Sequence, residues 1–141
     1  MKSSSSPDQH GAKHARSDLR VLLVEDSPVI CGLIADIVND VPGVSVAESV
    51  GSESEAVEAI GRLDLDVVIL DLQLRKGTGF GVLRAMRDMP RKPIVVVLTN
   101  FAIGTYRDTA LALGAREFLD KSRDYDRLPG IVSEIAASQS S

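Results

Sequence analysis

Apolar and polar positions along the chain alternate between two rhythms. Leu19 to Val24 (LRVLLV), Val67 to Leu70 (VVIL) and Ile94 to Leu98 (IVVVL) are almost unbroken apolar runs rich in β-branched residues. Short runs without alternation read as strands buried on both faces, which places these three at the centre of a parallel sheet. Val44-Ser45-Val46-Ala47 does alternate, as an edge strand should, and Arg116 to Leu119 supplies a final strand.

The intervening segments carry the helical rhythm. Ser27 is a good N-cap and Pro28 suits the first helical position, so a helix begins there, with Val29, Ile30, Leu33, Ile34, Ile37 and Val38 at helical spacing. Ser52-Glu53-Ser54-Glu55 resembles a capping box opening a helix whose inner side holds Ala56, Val57 and Ile60. Phe80, Leu83 and Met86 mark a third helix that ends before Pro90, after turn residues Lys76-Gly77-Thr78-Gly79. A fourth helix spans about Thr105 to Leu113 and closes at Gly114, a C′ glycine. The last starts at Pro129 and carries Ile131, Val132 and Ile135.

Strands alternating with helices at this spacing form βαβ units with right-handed crossovers. The fold class is therefore α/β, a doubly wound five-stranded parallel sheet with five helices. Residues 1–17 hold a serine run, Pro7 and Gly11 and nothing apolar to bury, and they read as a disordered tail. His10 and His14 within it read as solvated histidines, since a metal site needs more ligands and a formed scaffold. One domain then covers 18–137, and 138–141 is a polar tail.

Composition narrows the function. A formal charge of −4 and a pI near 5.1 argue against a nucleic-acid partner, which would need a basic face. No apolar run approaches the roughly 20 residues of a membrane span, and the polar, Ser-rich N-terminus lacks the apolar core of a signal peptide. The expectation is a cytoplasmic protein without a membrane partner. Cys31, alone, cannot form an internal disulfide, and its neighbours Ile30, Leu33 and Ile34 make it a helix-packing residue.

The chemistry gathers where the strands end. In open α/β sheets ligands bind outside the carboxyl ends of the strands. Successive strands deliver Glu25 and Asp26, then Asp71, then Thr99, then Lys121 to that edge. Carboxylates so close together repel one another unless a cation compensates, and oxygen ligands without His or Cys point to a hard ion such as Mg²⁺. With Thr99 and Lys121 aimed at the same point, the site suits phosphoryl transfer, with Asp71 as a nucleophile forming an acyl phosphate. Singly, each residue has a plainer role as a helix cap, a strand end or a surface charge; their arrival together makes a site. Asp64 and Asp66 precede their strand and read as solvated turn residues at the opposite edge.

From about Leu19 to Ala137 the chain resembles the receiver domains of bacterial two-component response regulators. The resemblance is carried by Glu25-Asp26, the VVILDLQL segment around Asp71, Gly79 eight residues later, VVVLT ending in Thr99, and Gly114-Ala115 followed by Phe118 and Lys121. It implies the flavodoxin-like strand order 2-1-3-4-5 and a phosphoprotein in which Asp71 accepts phosphate from a histidine kinase or phosphotransfer protein. It further implies that Asp26 binds Mg²⁺ directly, Glu25 through water, and Gln73 through its backbone carbonyl, with Asp71 in the same set. Lys121 would pair with the phosphoryl group, Thr99 would be drawn toward it, and Phe118 would be the aromatic switch. A downstream target protein, or a second copy in a homodimer, would dock on the face formed by the fourth helix, final strand and final helix.

Four positions depart from that pattern. Glu25 replaces Asp, a longer arm of equal charge. Arg75 stands where the family has Pro, which loosens the loop after Asp71. Ser122 replaces the Pro after the site lysine, so the Lys121–Ser122 bond is expected to be trans, because a cis bond there costs about 2.5–4 kcal/mol. Phe101, two residues past Thr99, is expected to shield the phosphoryl group from water and lengthen its life.

After Lys121 only one helix and a tail remain, so the expected function is a stand-alone receiver, not an enzyme beyond its own phosphorylation and dephosphorylation, with output by protein contact. The alternative is a receiver-shaped scaffold that works without phosphate. A dehalogenase-like phosphatase would need an acid two residues past its nucleophile, where Gln73 follows Asp71 and Pro28 follows Asp26. A flavin carrier would need a phosphate loop where the chain has the repelling Glu25-Asp26 pair.

Overall fold

The computed structural model describes residues 18–139, so the expected tail at 1–17 with His10 and His14, and Ser140 and Ser141, lie outside the described residues. Five parallel strands, β1 (Leu19–Val24), β2 (Val44–Val50), β3 (Val67–Leu70), β4 (Ile94–Thr99) and β5 (Glu117–Asp120), form one sheet in the order β2-β1-β3-β4-β5. The helices are α1 (Pro28–Asn39), α2 (Glu53–Arg62), α3 (Gly79–Met86), α4 (Gly104–Ala112) and α5 (Leu128–Gln139). This is the doubly wound α/β architecture expected, with the alternating strand at an edge.

The side-chain alternation of each central strand feeds two separate cores. Leu22, Val24, Val68, Leu70, Val95 and Val97 face α2, α3 and α4, whereas Val21, Leu23, Val67, Ile69, Val96 and Leu98 face α1 and α5. Both faces are covered, which is why these strands carry no polar alternation.

Most of the helix signals act as the sequence suggests. Ser27 Oγ accepts a hydrogen bond from Ile30 N–H and Pro28 opens α1. The end of α4 is a Schellman arrangement: Ala115 N–H donates to the Ala110 carbonyl, Gly114 N–H donates to Leu111, and Gly114 adopts a φ of +110°.

Several boundaries and faces differ. β2 runs three residues past Ala47, because a bulge between Val21 and Leu22 leaves Ala47 unpaired and lets the ladder resume through Val24 opposite Val50. Helix α5 starts one residue before Pro129 and reaches Gln139, two residues into the expected tail. On α2 the buried row is Ala56, Ala59 and Ile60 with Val57 half-buried, and on α3 it is Val82, Leu83 and Met86 with Phe80 half-buried. On α1 Val29 is 80% exposed and Leu33 is also exposed, so the apolar face is wider than the core it meets.

Asp64 and Asp66 lie at the opposite sheet edge, but they are partnered. Asp66 Oδ2 accepts from Arg20 N–H at 2.8 Å and Asp64 pairs with Arg91 at 2.8 Å. The unpaired amide at the start of β1 needed an acceptor, which sequence spacing does not display. Cys31 is free and half-buried, its Sγ 3.8 Å from the Glu25 carbonyl. No helix among the described residues is long and apolar enough to cross a membrane.

Candidate phosphoryl and metal site

Strands β1 and β3 end side by side, with Val24 opposite Leu70, and β4 runs two residues past Val97, the partner of Leu70, to Thr99. The residue after each central strand is thus carried to one edge. Among the described residues, Glu25, Asp26 and Asp71 bring carboxylate oxygens within 4.8 Å of one another there. Glu25 and Asp71 are buried and Asp26 is half-buried.

Lys121, just past β5, is buried and reaches across the edge to both. Its Nζ lies 2.8 Å from Asp71 Oδ2 and 2.5 Å from Glu25 Oε1. Burial, the largest single influence, pushes the ammonium pKa down. The hydrogen bonds and charges of Asp71 and Glu25 outweigh it, and the group is held charged, above its ordinary value. The longer Glu25 arm has two consequences. Its Oε2 accepts from Ser27 N–H at 3.0 Å, whereas its Oε1 is buried against Lys121 Nζ.

The remaining Asp71 oxygen, Oδ1, accepts from Gln73 N–H at 3.1 Å. Gly79 packs directly behind Asp71: a Cβ there would sit 2.5 Å from the Asp71 carbonyl oxygen and 2.8 Å from Leu72 Cα. Glycine is required at this position for close approach rather than for an unusual backbone angle.

These residues fit a hard divalent cation. The donors are all oxygens, and three carboxylates carry more charge than one ammonium balances. Gln73 and Asn100 line the same cleft beside Glu25, Asp26, Asp71 and Lys121.

Thr99 ends β4, fully buried, and its Oγ1 accepts from Phe101 N–H at 3.3 Å. The next residue, Asn100, lines the cleft. Phe101 is 44% exposed and its ring leans on Tyr106, centroids 6.5 Å apart, so it does not line the cleft as a shield would. Phe118 is half-buried on β5 opposite Val97, packed against the core under α4.

The departures behave unevenly. The Lys121–Ser122 bond is trans. Its loop is organised by Asp120, whose Oδ1 accepts from Ser122 Oγ at 2.6 Å and Ser122 N–H at 2.8 Å. Those bonds hold the Asp120 carboxyl below its ordinary pKa. Arg75 is exposed, with its guanidinium 3.4 Å from the Asp26 carbonyl.

Two neighbours of the site carry no sequence signal that points to it. Tyr125, in a short 3₁₀ turn before α5, is pushed up in pKa by burial, with Lys121 opposing and Glu25 and Asp71 adding. Glu53 reaches the loop after Asp71 from the start of α2, its Oε1 accepting from Thr78 N–H at 2.9 Å. Neither has a spacing signal, because both reach the site through tertiary packing.

The family model of the response regulator receiver domain matches residues 21–133. A protein-glutamate methylesterase/protein-glutamine glutaminase of Treponema denticola is 34% identical over 74% of this chain and 28% of its own length. One of Rhizobium etli is 38% identical over 70% of this chain and 27% of its own. The chain thus spans little more than a quarter of those relatives.

Among solved structures, the response regulator domain of Thermotoga maritima CheB superposes with a TM-score of 0.75 at 23% identity, covering 86% of this chain and 95% of that one. The receiver domain of a LuxO repressor protein from Vibrio parahaemolyticus superposes at 0.78 and 28% identity, covering 86% and 92%. Matched over most of its length by that family model, the chain belongs to the response regulator receiver domain family.

Proposed function

We propose that this receiver is phosphorylated on Asp71, with Mg²⁺ bound by Asp26, Asp71 and the Gln73 carbonyl and, through water, by Glu25. The observation that carries the reading is Lys121 Nζ between Glu25 and Asp71 at the carboxyl edge, beside an acidic triad with the donor chemistry of a hard cation. The cation, when bound, supplies charge neutralisation for the transferring phosphoryl group.

The chain's own groups do the rest. Asp71 attacks the phosphorus of a partner's phosphohistidine, the P–N bond breaks, and its electron pair leaves with the imidazole. Burial around Val67 to Leu70, the Gln73 N–H and Lys121 hold the Asp71 carboxylate in one orientation, so little reorganisation precedes attack. Lys121 then pairs with a phosphoryl oxygen, and Thr99 turns its hydroxyl to another. The added charge, about −1.5 to −2, favours the state with these charge-assisted bonds. Phe118 follows Thr99, and α4, β5 and α5 form the face read by a downstream target protein or a second copy.

Incubation with acetyl phosphate and Mg²⁺ tests this. The expected result is a base-labile gain of one phosphoryl mass, absent without Mg²⁺ and absent in Asp71→Asn. Wild-type protein that takes no phosphate from acetyl phosphate or a phosphorylated histidine domain overturns the reading and favours a phosphate-independent scaffold.

A further inference from the structure

The loop after Asp71 is fastened from outside by a residue with no place in the site itself. Glu53 N–H donates to the Lys76 carbonyl at 3.0 Å, and Ser52 forms a parallel bridge with Lys76. The Glu53 side chain reaches two residues further along the loop and accepts from Thr78 N–H. Thr78 in turn caps α3 through Gly81 N–H and forms an antiparallel bridge with Gln73. Gln73 holds Asp71 Oδ1 through its own N–H. A continuous line of bonds thus runs from Glu53 through Thr78 to Gln73 and Asp71.

The loop sequence is shaped to admit this side chain. A Cβ on Gly77 or on Gly81 would collide with the Glu53 carboxylate, and Gly77 also needs glycine for its φ of +84°. Gly81 has no such backbone requirement. Within a helix glycine is a poor choice, and the space that Glu53 occupies accounts for it. Arg75, where a stiffening proline is absent, sits on the outside of the loop, its guanidinium bonded to the Asp26 carbonyl.

We propose that Glu53 is a positioning residue for the Mg²⁺ site, tethering the Gln73 segment so that its carbonyl faces the acidic triad. The inference rests on the reading of Asp71, Asp26 and Gln73 as metal ligands. Its chemistry is that of outer-shell hydrogen bonds, which orient ligands they do not themselves supply.

The test is a Mg²⁺ titration of the isotopically labelled full chain, followed by backbone amide shifts, so that the readout is binding rather than phosphorylation. Glu53→Ala is expected to weaken Mg²⁺ binding about tenfold, the scale on which outer-shell changes act. Glu53→Gln keeps an oxygen for Thr78 N–H and is expected to stay within about twofold of wild type.

Gly81→Ala guards against a variant that merely fails to fold. Alanine favours the helix, but its methyl displaces the Glu53 carboxylate, so binding is expected to weaken as in Glu53→Ala, and the double variant to be no weaker than either. Glu53→Ala binding Mg²⁺ like wild type overturns the tether. So does Glu53→Gln as weak as Glu53→Ala, which would show a charge effect instead. Wild type that binds no Mg²⁺ overturns the proposed function as well, whereas wild type and Glu53→Ala binding alike overturn only this inference.

Discussion

Two loops leave the carboxyl edge next to each other, and they are built in opposite ways. The loop after β3 is bonded at Lys76 and Thr78 to Glu53 of α2, closes on a capped helix and packs Gly79 against the backbone of Asp71. The loop after β4 exposes Asn100 to Ile103, and its helix begins at Ile103 with no side-chain cap. Helix α4 buries only Ala110. On the proposed function the first loop holds the acceptor and ligands, whose geometry must not vary. On the proposed function the second moves with Thr99, and segments that move are drawn from the weakly held part of a structure. One site thus joins a fixed half to a loose half.

Damage to the fixed half should cost most. Gly79→Ala places a methyl against backbone atoms that have no room to withdraw, and a loss of about 2 kcal/mol is expected, as for overpacked cores. Urea unfolding measures it, and an unchanged midpoint would mean that the loop after Asp71 is less constrained than its contacts indicate.

Tightening the loose half should gain less. Ile103 is 53% exposed and already extended, with φ −102° and ψ 157°, as an N-cap should be. Ile103→Ser is therefore expected to stabilise the protein by about 1 kcal/mol through a cap bond. The same variant should resist the rearrangement of α4 on phosphorylation, seen as smaller amide shift changes in α4 between the two states.

The smallest effect belongs to the third loop at this edge, after β5. The Asp120 carboxyl is held below its ordinary value of 3.8 by Ser122, so the bond stabilises the fold above that value and ceases to do so as pH falls through the lowered one. The stability advantage of wild type over Ser122→Ala should accordingly be present at neutral pH and vanish in strong acid. An advantage that persisted in acid would show that the Asp120 carboxylate is not its source.

Much of this contrast was legible in particular residues. The apolar run at Val67 to Leu70 ending in Asp71, the Ser27-Pro28 helix start and Gly114 all act locally, through burial periodicity, capping and a left-handed turn. Arg75 in place of proline suggested a loosened loop, yet the structure fastens that loop through Glu53, twenty or more residues earlier in the chain. Ser52-Glu53-Ser54-Glu55 read as a capping box only. Ser52 does cap Glu55 N–H, but Glu55 turns back to Gly51 N–H, and Glu53 is spent on the neighbouring loop. Phe101 was expected over the phosphoryl position and instead leans on Tyr106, because an exposed ring at an uncapped helix start finds an aromatic partner before it finds the cleft.

By itself the sequence determined the alternation of strands and helices, the edge where strands β1, β3 and β4 end and β5 passes into Lys121, and the charged residues each delivers to it. These depend on period and on the chirality of crossovers, which neighbouring residues specify. Only the tertiary structure decided how those residues meet. Lys121 bridges Glu25 and Asp71, Thr99 is buried while Asn100 lines the cleft, and Glu53 reaches Thr78 because the crossover from β2 past β1 to β3 packs α2 beside α3. Contacts between segments so far apart in the chain leave no periodic trace, and packing alone selects among them.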